Sequence, residues 1–240
     1  MSVGKLIMGV AGILMGAQGI KGGLNALGEA TAPSPRGPHA SGKAGLGLAP
    51  ASQLAPTTTE SAAPITLHPG SVANLTERMR NIQGQILKGM RDPNMLILAR
   101  KIVSGKDATG KHWLIEEKDN LAEAKAIFAY MRANVRYTSD PYEVDTFETA
   151  RATLKAQSGD CDAYSATTAT LLLQIGIPAE LVVIQTTASK SPDHIFAACG
   201  LPRAYPTKWY AMDASVNRPF GWFPPKAMVS KAWRFKALPR

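Results

Sequence analysis

Ser158-Gly159-Asp160-Cys161-Asp162 runs directly into residues 163–175, AYSATTATLLLQI, a stretch with no charge and a Leu-rich end. A glycine and two acids before an apolar run mark a polar turn opening a helix, which puts Cys161 in the first turn. Backbone N–H groups there are unpaired and carry about half a positive charge, so a thiolate is stabilised relative to the thiol. The same N–H groups can hold the oxyanion of a tetrahedral intermediate. The alternative is a structural cysteine packed at the head of a buried helix, and the polar turn argues against it. Cys199 lies in the apolar Ile195-Phe196-Ala197-Ala198-Cys199 and reads as core.

Downstream of this helix, Gly176-Ile177-Pro178 is a break. Residues 179–187 then read as a buried strand rich in Val and Ile, and a polar loop (188–193) leads to a second strand over 194–199. A third strand, 208–213, ends at Asp213. If the second and third strands pair antiparallel, His194 at the start of one comes close to Asp213 at the end of the other. Asp213 can then orient the imidazole and hold its tautomer. The plainer readings are a surface histidine at a strand entrance and a turn-forming Asp before Ala214-Ser215.

Upstream, helical periodicity appears over residues 74–88, where Leu75, Met79, Ile82, Ile86 and Leu87 recur, and over 94–103 after Pro93. It appears again over 120–134, with Leu121, Ala124, Ile127, Phe128 and Met131 on one face. A shorter helix is expected over 146–156. A helical half followed by consecutive strands predicts an α+β fold with an antiparallel sheet and helices on one side.

Together these pieces resemble the transglutaminase-like superfamily, the papain-related cysteine fold of transglutaminases and many microbial peptidases. The resemblance covers roughly residues 93–215. It is carried by residues 130–140 (YMRANVRYTSD), Gly159-Asp160-Cys161-Asp162, Gly176-Ile177-Pro178-Ala179, Asp193-His194-Ile195 and Trp209-Tyr210-Ala211-Met212-Asp213. It implies a triad in which Cys161 is the nucleophile, His194 the general base and then acid, and Asp213 the orienting carboxylate. Such a triad attacks an amide of a protein or peptide through an acyl-enzyme thioester. Water as acceptor gives a peptidase or amidase; a lysine amine gives protein crosslinking. Crosslinking members often carry Trp after the nucleophile, where this chain has Asp162. Tyr137 and Gln157 are candidates for the side chain that assists the Cys161 N–H at the oxyanion. No loop of regularly spaced acids suggests calcium, so no metal or cofactor is implied.

The rest of the chain looks like anchoring equipment. Residues 1–28 are Gly-rich and hydrophobic, with 15 uncharged residues between Lys5 and Lys21. A membrane-inserted or membrane-lying helix, a secretory signal peptide and a segment docked on a partner all fit, which points to a membrane-associated or exported protein. Residues 29–70, rich in Ala, Pro, Ser, Thr and Gly, read as a flexible linker. The catalytic domain is expected over 71–225 and a basic C-terminal tail over 226–240. The net charge is +9 and the pI about 9.6, yet no zinc-finger or RNA-binding aromatic motif accompanies the basic residues, which argues against nucleic acid as a partner. A reading of another class is a membrane- or virion-associated attachment protein that retains the fold for packing.

Overall fold

The computed structural model describes residues 63–65, 72–140 and 145–238, all within Gly47–Arg240, one of two units into which the chain divides. The hydrophobic segment 1–28 lies outside the described residues, as does the linker 29–70 apart from Ala63–Ile65. Among the described residues no helix is long and apolar enough to cross a membrane.

The helical half is built as the periodicity predicts. Helix α1 (Val72–Arg91) buries Leu75, Met79, Ile82 and Ile86 on one stripe, whereas Leu87 stays exposed. Helix α2 (Pro93–Val103) opens with Pro93 at its first position, and the Asp92 side chain caps it by accepting from Asn94 N–H. Helix α3 (Asn120–Asn134) is capped by Asp119 and buries Ala124, Ile127, Phe128, Tyr130 and Met131. Between α3 and the next helix the chain departs from expectation. Residues 146–156 are not one helix: a strand, Asp145–Phe147, precedes helix α4 (Ala150–Ala156). The Asp140 carboxylate accepts from Thr146 N–H and hydroxyl, each at 2.6 Å, beside the extended segment, and Thr149 starts the helix as its N-cap.

Helix α5 (Cys161–Gln174) is the axis of the domain. Every residue from Asp162 to Leu172 is buried, because α1, α2, α3 and α4 pack round it and the sheet closes the remaining side. Two of its hydroxyls are returned to its own carbonyls: Ser165 donates to Cys161 O at 2.7 Å and Thr170 to Ala166 O at 2.8 Å. Gly89 lets α1 come close, since a Cβ there would lie 2.8 Å from Thr170 Cγ2. Gln174 then ties the end of α1 by donating to Gly89 O and Met90 O.

In chain order the strands are β1 (Ala63–Ile65), β2 (Arg136–Tyr137), β3 (Asp145–Phe147), β4 (Ser158–Gly159), β5 (Ala179–Thr186), β6 (His194–Leu201), β7 (Lys208–Met212) and β8 (Val229–Lys236). The main sheet has the order β7-β6-β5-β8, antiparallel throughout. Leu181, Val183, Ile195, Ala197, Cys199 and Met212 face the helices. The opposite face, with Val182, Ile184, Phe196, Ala198 and Ala211, is covered by Trp209 and Phe223. The sheet is therefore buried on both faces, which is why β5 and β6 read as continuous apolar runs rather than alternating ones.

The basic C-terminus is a correction to the sequence reading. Residues 226–236 do not form a solvated tail: Lys226–Met228 make a 3₁₀ turn, and β8 completes the sheet beside β5. Trp233 and Phe235 pack on the main core, while Arg234 donates to Glu180 at 2.7 Å and stacks over Trp209 at 5.0 Å. A chain ended at Pro225 is therefore expected to lose its cooperative urea transition, monitored by tryptophan fluorescence. Removal of a dispensable tail would leave the transition midpoint unchanged.

Candidate active site

Asp160 and Gly159 fix the start of α5. The Asp160 carboxylate accepts from Ala163 N–H at 2.9 Å and its carbonyl accepts from Tyr164 N–H at 3.0 Å. These bonds use two of the first-turn donors and leave the Cys161 and Asp162 N–H groups ahead of them. Gly159 permits the tight entry, because a Cβ there would sit 2.6 Å from Ala163 Cβ. It belongs to β4, which pairs parallel with β2 and so places Tyr137 next to the turn.

His194 opens β6 and Asp213 follows β7, and the antiparallel pairing of those strands brings them together. His194 Nε2 lies 2.7 Å from Asp213 Oδ2. Asp213 is buried, and its other oxygen accepts from the Ser215 hydroxyl at 2.6 Å and Ser215 N–H at 3.3 Å. One carboxylate is thus held from behind while it holds the imidazole, and Nδ1 is the ring nitrogen left for another partner.

Cys161 is half-buried and reduced. Its Sγ is set against the backbone N–H of Ile195, the residue after His194, and that donor favours the thiolate. The thiol itself donates to Asp162 Oδ1 at 3.7 Å. No hydrogen bond joins it to His194 in this arrangement of the described residues. The structure brings His194 to Asp213 and Cys161 to the same strand entrance.

The electrostatics correct the sequence reading of the thiol. Burial pushes the Cys161 thiol well up, and the charges of Asp162 and Asp160 push it further, against the Ile195 N–H and Arg78. The helix N-terminus offers about half a charge in favour of the thiolate, and two carboxyl groups at the same end oppose it. Burial and then Asp162 push Asp160 up to about 8. Asp162 is raised too, since burial outweighs Arg78.

Of the two oxyanion candidates, Tyr137 is set near Cys161, whose charge adds to the burial that raises its phenol. Gln157 is exposed and ends α4 in a left-handed conformation, φ 55°, with its carbonyl accepting from Arg136 N–H. Among the described residues one group offers clustered metal-ligand atoms: Asp160, Cys161 and Asp162, within 4.8 Å of one another. Arg78 is already the cation there, 3.4 Å from Asp162 Oδ2. Arg78 and Ser215 join the site in the structure without being among the residues the sequence motifs mark. Ser215 could have been found as a short polar residue two places after an expected acid; Arg78 carries no local signal.

Residues 111–224 match the sequence model of the transglutaminase-like superfamily. No curated protein matches the chain. Among solved structures it is similar to a candidate cysteine protease from Cytophaga hutchinsonii, at 18% identity and a TM-score of 0.39, covering 64% of this chain and 52% of that one. It is also similar to a TGase, at 18% identity and a TM-score of 0.32, covering 66% of this chain and 37% of that one. The chain thus spans about half the length of the first and little over a third of the second.

The thiols should separate cleanly. Cys199 is fully buried, and burial pushes its thiol up to about 12, so the native protein is expected to take one iodoacetamide label, at Cys161. Because a raised thiol is protonated until higher pH, that labelling should climb only above the ordinary thiol range of about 8.5. A labelling midpoint below pH 7, read by peptide mass spectrometry, would contradict this account of the site.

Proposed function

We propose, for a chain whose residues 111–224 match the model of the transglutaminase-like superfamily, that this domain is a thiol-dependent amide hydrolase, a peptidase or amidase. Cys161 is its nucleophile, His194 its general base and acid, and Asp213 the carboxylate that orients the imidazole. The observation that carries the reading is the 2.7 Å bond from His194 Nε2 to Asp213 Oδ2, with Cys161 Sγ against the next residue's N–H.

The chemistry follows from which atoms are committed. Nε2 donates to Asp213, so Nδ1 is the acceptor available to the thiol. The resting thiol is protonated, and its proton passes to Nδ1 as Sγ adds to the amide carbonyl. The carbonyl oxygen becomes an oxyanion that the Cys161 and Asp162 N–H groups can hold. Asp213 stabilises the imidazolium so formed. Imidazolium gives the proton to the departing amine, the C–N bond breaks, and a thioester remains. Water then adds to the thioester with His194 again taking a proton, and Cys161 leaves with it. An amine in place of water yields a new amide, the crosslinking outcome.

Hydrolysis of a peptide mixture, followed by the release of new amines, tests the reading. His194→Ala is expected to lower the rate by about 100- to 10,000-fold, and Cys161→Ala to remove it. Asp213→Asn should cost comparably by releasing the ring tautomer, with folding unchanged. Equal turnover in Cys161→Ala and the parent chain would instead favour a domain retained for packing or attachment. Incorporation of a fluorescent amine exceeding hydrolysis would identify the crosslinking acceptor.

A further inference from the structure

Helix α1 lies wholly before the segment that matches the superfamily, yet it delivers a charge to the site. Arg78 Nη2 is 3.4 Å from Asp162 Oδ2 and 3.5 Å from Asp145 Oδ1. Asp162 is the residue after Cys161 and its side chain is only 3% exposed. Its other oxygen, Oδ1, accepts from Cys161 Sγ at 3.7 Å. A single buried carboxylate therefore has the guanidinium on one oxygen and the thiol on the other.

The side chains that act on that thiol are mostly acidic. Asp160 and Asp162 come from the start of α5 and Tyr137 from β2, and Asp140 and Asp145, from the segment entering β3, act in turn on those two carboxyls. Arg78 is the cation whose charge acts on the thiol from α1. Burying a carboxylate beside a nucleophile opposes the charge that must develop on sulfur, unless a cation offsets it. A planar guanidinium can bridge two carboxylates at once, which a lysine ammonium does less well.

We propose that Arg78 is a positioning residue for Cys161: it pins Asp162 in the orientation that holds the thiol, and balances the carboxylates packed at the start of α5. The inference deepens the hydrolase reading and rests on it for its functional meaning. The alternative is an ion pair that only fastens α1 to α5. Such a pair could affect melting but would leave the ionisation of Cys161 unmoved.

The test is the pH profile of Cys161 alkylation by iodoacetamide, in a Cys199→Ala background, with folding monitored by circular dichroism. Arg78→Met is expected to move the midpoint up by about one pH unit, roughly a tenfold loss of labelling rate below the midpoint. Arg78→Lys should move it by less, since the charge survives and the fork does not. Asp162→Asn should move the midpoint down, and Arg78→Met with Asp162→Asn should return toward the parent value. A folded Arg78→Met chain with an unmoved midpoint overturns the proposal. If Arg78→Met fails to fold, unmoved midpoints in both Arg78→Lys and Asp162→Asn overturn it equally. The profile requires no substrate, so absence of amide hydrolysis would defeat the hydrolase reading while leaving this result separate.

Discussion

Burial of α5 on all sides constrains everything else in the domain. A helix exposed on one face can rotate or slide at modest cost, but one that is buried from Asp162 to Leu172 is locked by its neighbours. Moving it would open cavities at Leu171 and Leu172, each fully buried, at about 2–5 kcal/mol per large side chain lost from contact. Its first turn is therefore held at a fixed point relative to β6. That point is the start of the strand, where the Ile195 N–H meets the Cys161 sulfur and His194 meets Asp213. The packing of a core helix and the placement of Cys161 are one and the same restraint.

Charge, in contrast, is arranged with tension. The helix start that favours a thiolate is crowded by Asp160 and Asp162, and burial adds to their effect. The Cys161 sulfur is hydrogen-bonded to the neighbouring Asp162 carboxyl, and burial opposes its ionisation. In the proposed mechanism such a thiol relies on proton transfer at the moment of attack rather than on a standing thiolate. Asp213, buried and supported by Ser215, holds the His194 ring, and in the proposed mechanism it stabilises the imidazolium that such a transfer creates.

The legible parts of the fold are those whose burial is written in local periodicity. The stripe of α1, the Asp119 to Asn134 segment and the apolar runs of β5 and β6 each follow from neighbouring residues alone. Cys161, His194 and Asp213 could be ordered because each sits at an element boundary that the sequence marks. What was not legible depends on partners far along the chain. Strand β8 alternates Trp233, Arg234, Phe235 and Lys236, but its basic residues hide the alternation, and its pairing with β5 passes over two intervening strands. Arg78 stands beside an apolar stripe, and its meaning comes from Asp162, 84 residues away. The extended segment at Thr146 reads as helix until Asp140 is seen to hold its backbone.

The central claim is that Cys161 carries an acyl group during turnover. Intact-mass spectrometry of the protein, acid-quenched while it consumes a peptide mixture, tests this most directly, with peptide mapping to locate the added mass. The account predicts a thioester adduct confined to Cys161 that hydroxylamine removes. An unmodified Cys161 during demonstrable amide cleavage, or an adduct on another residue, would contradict it.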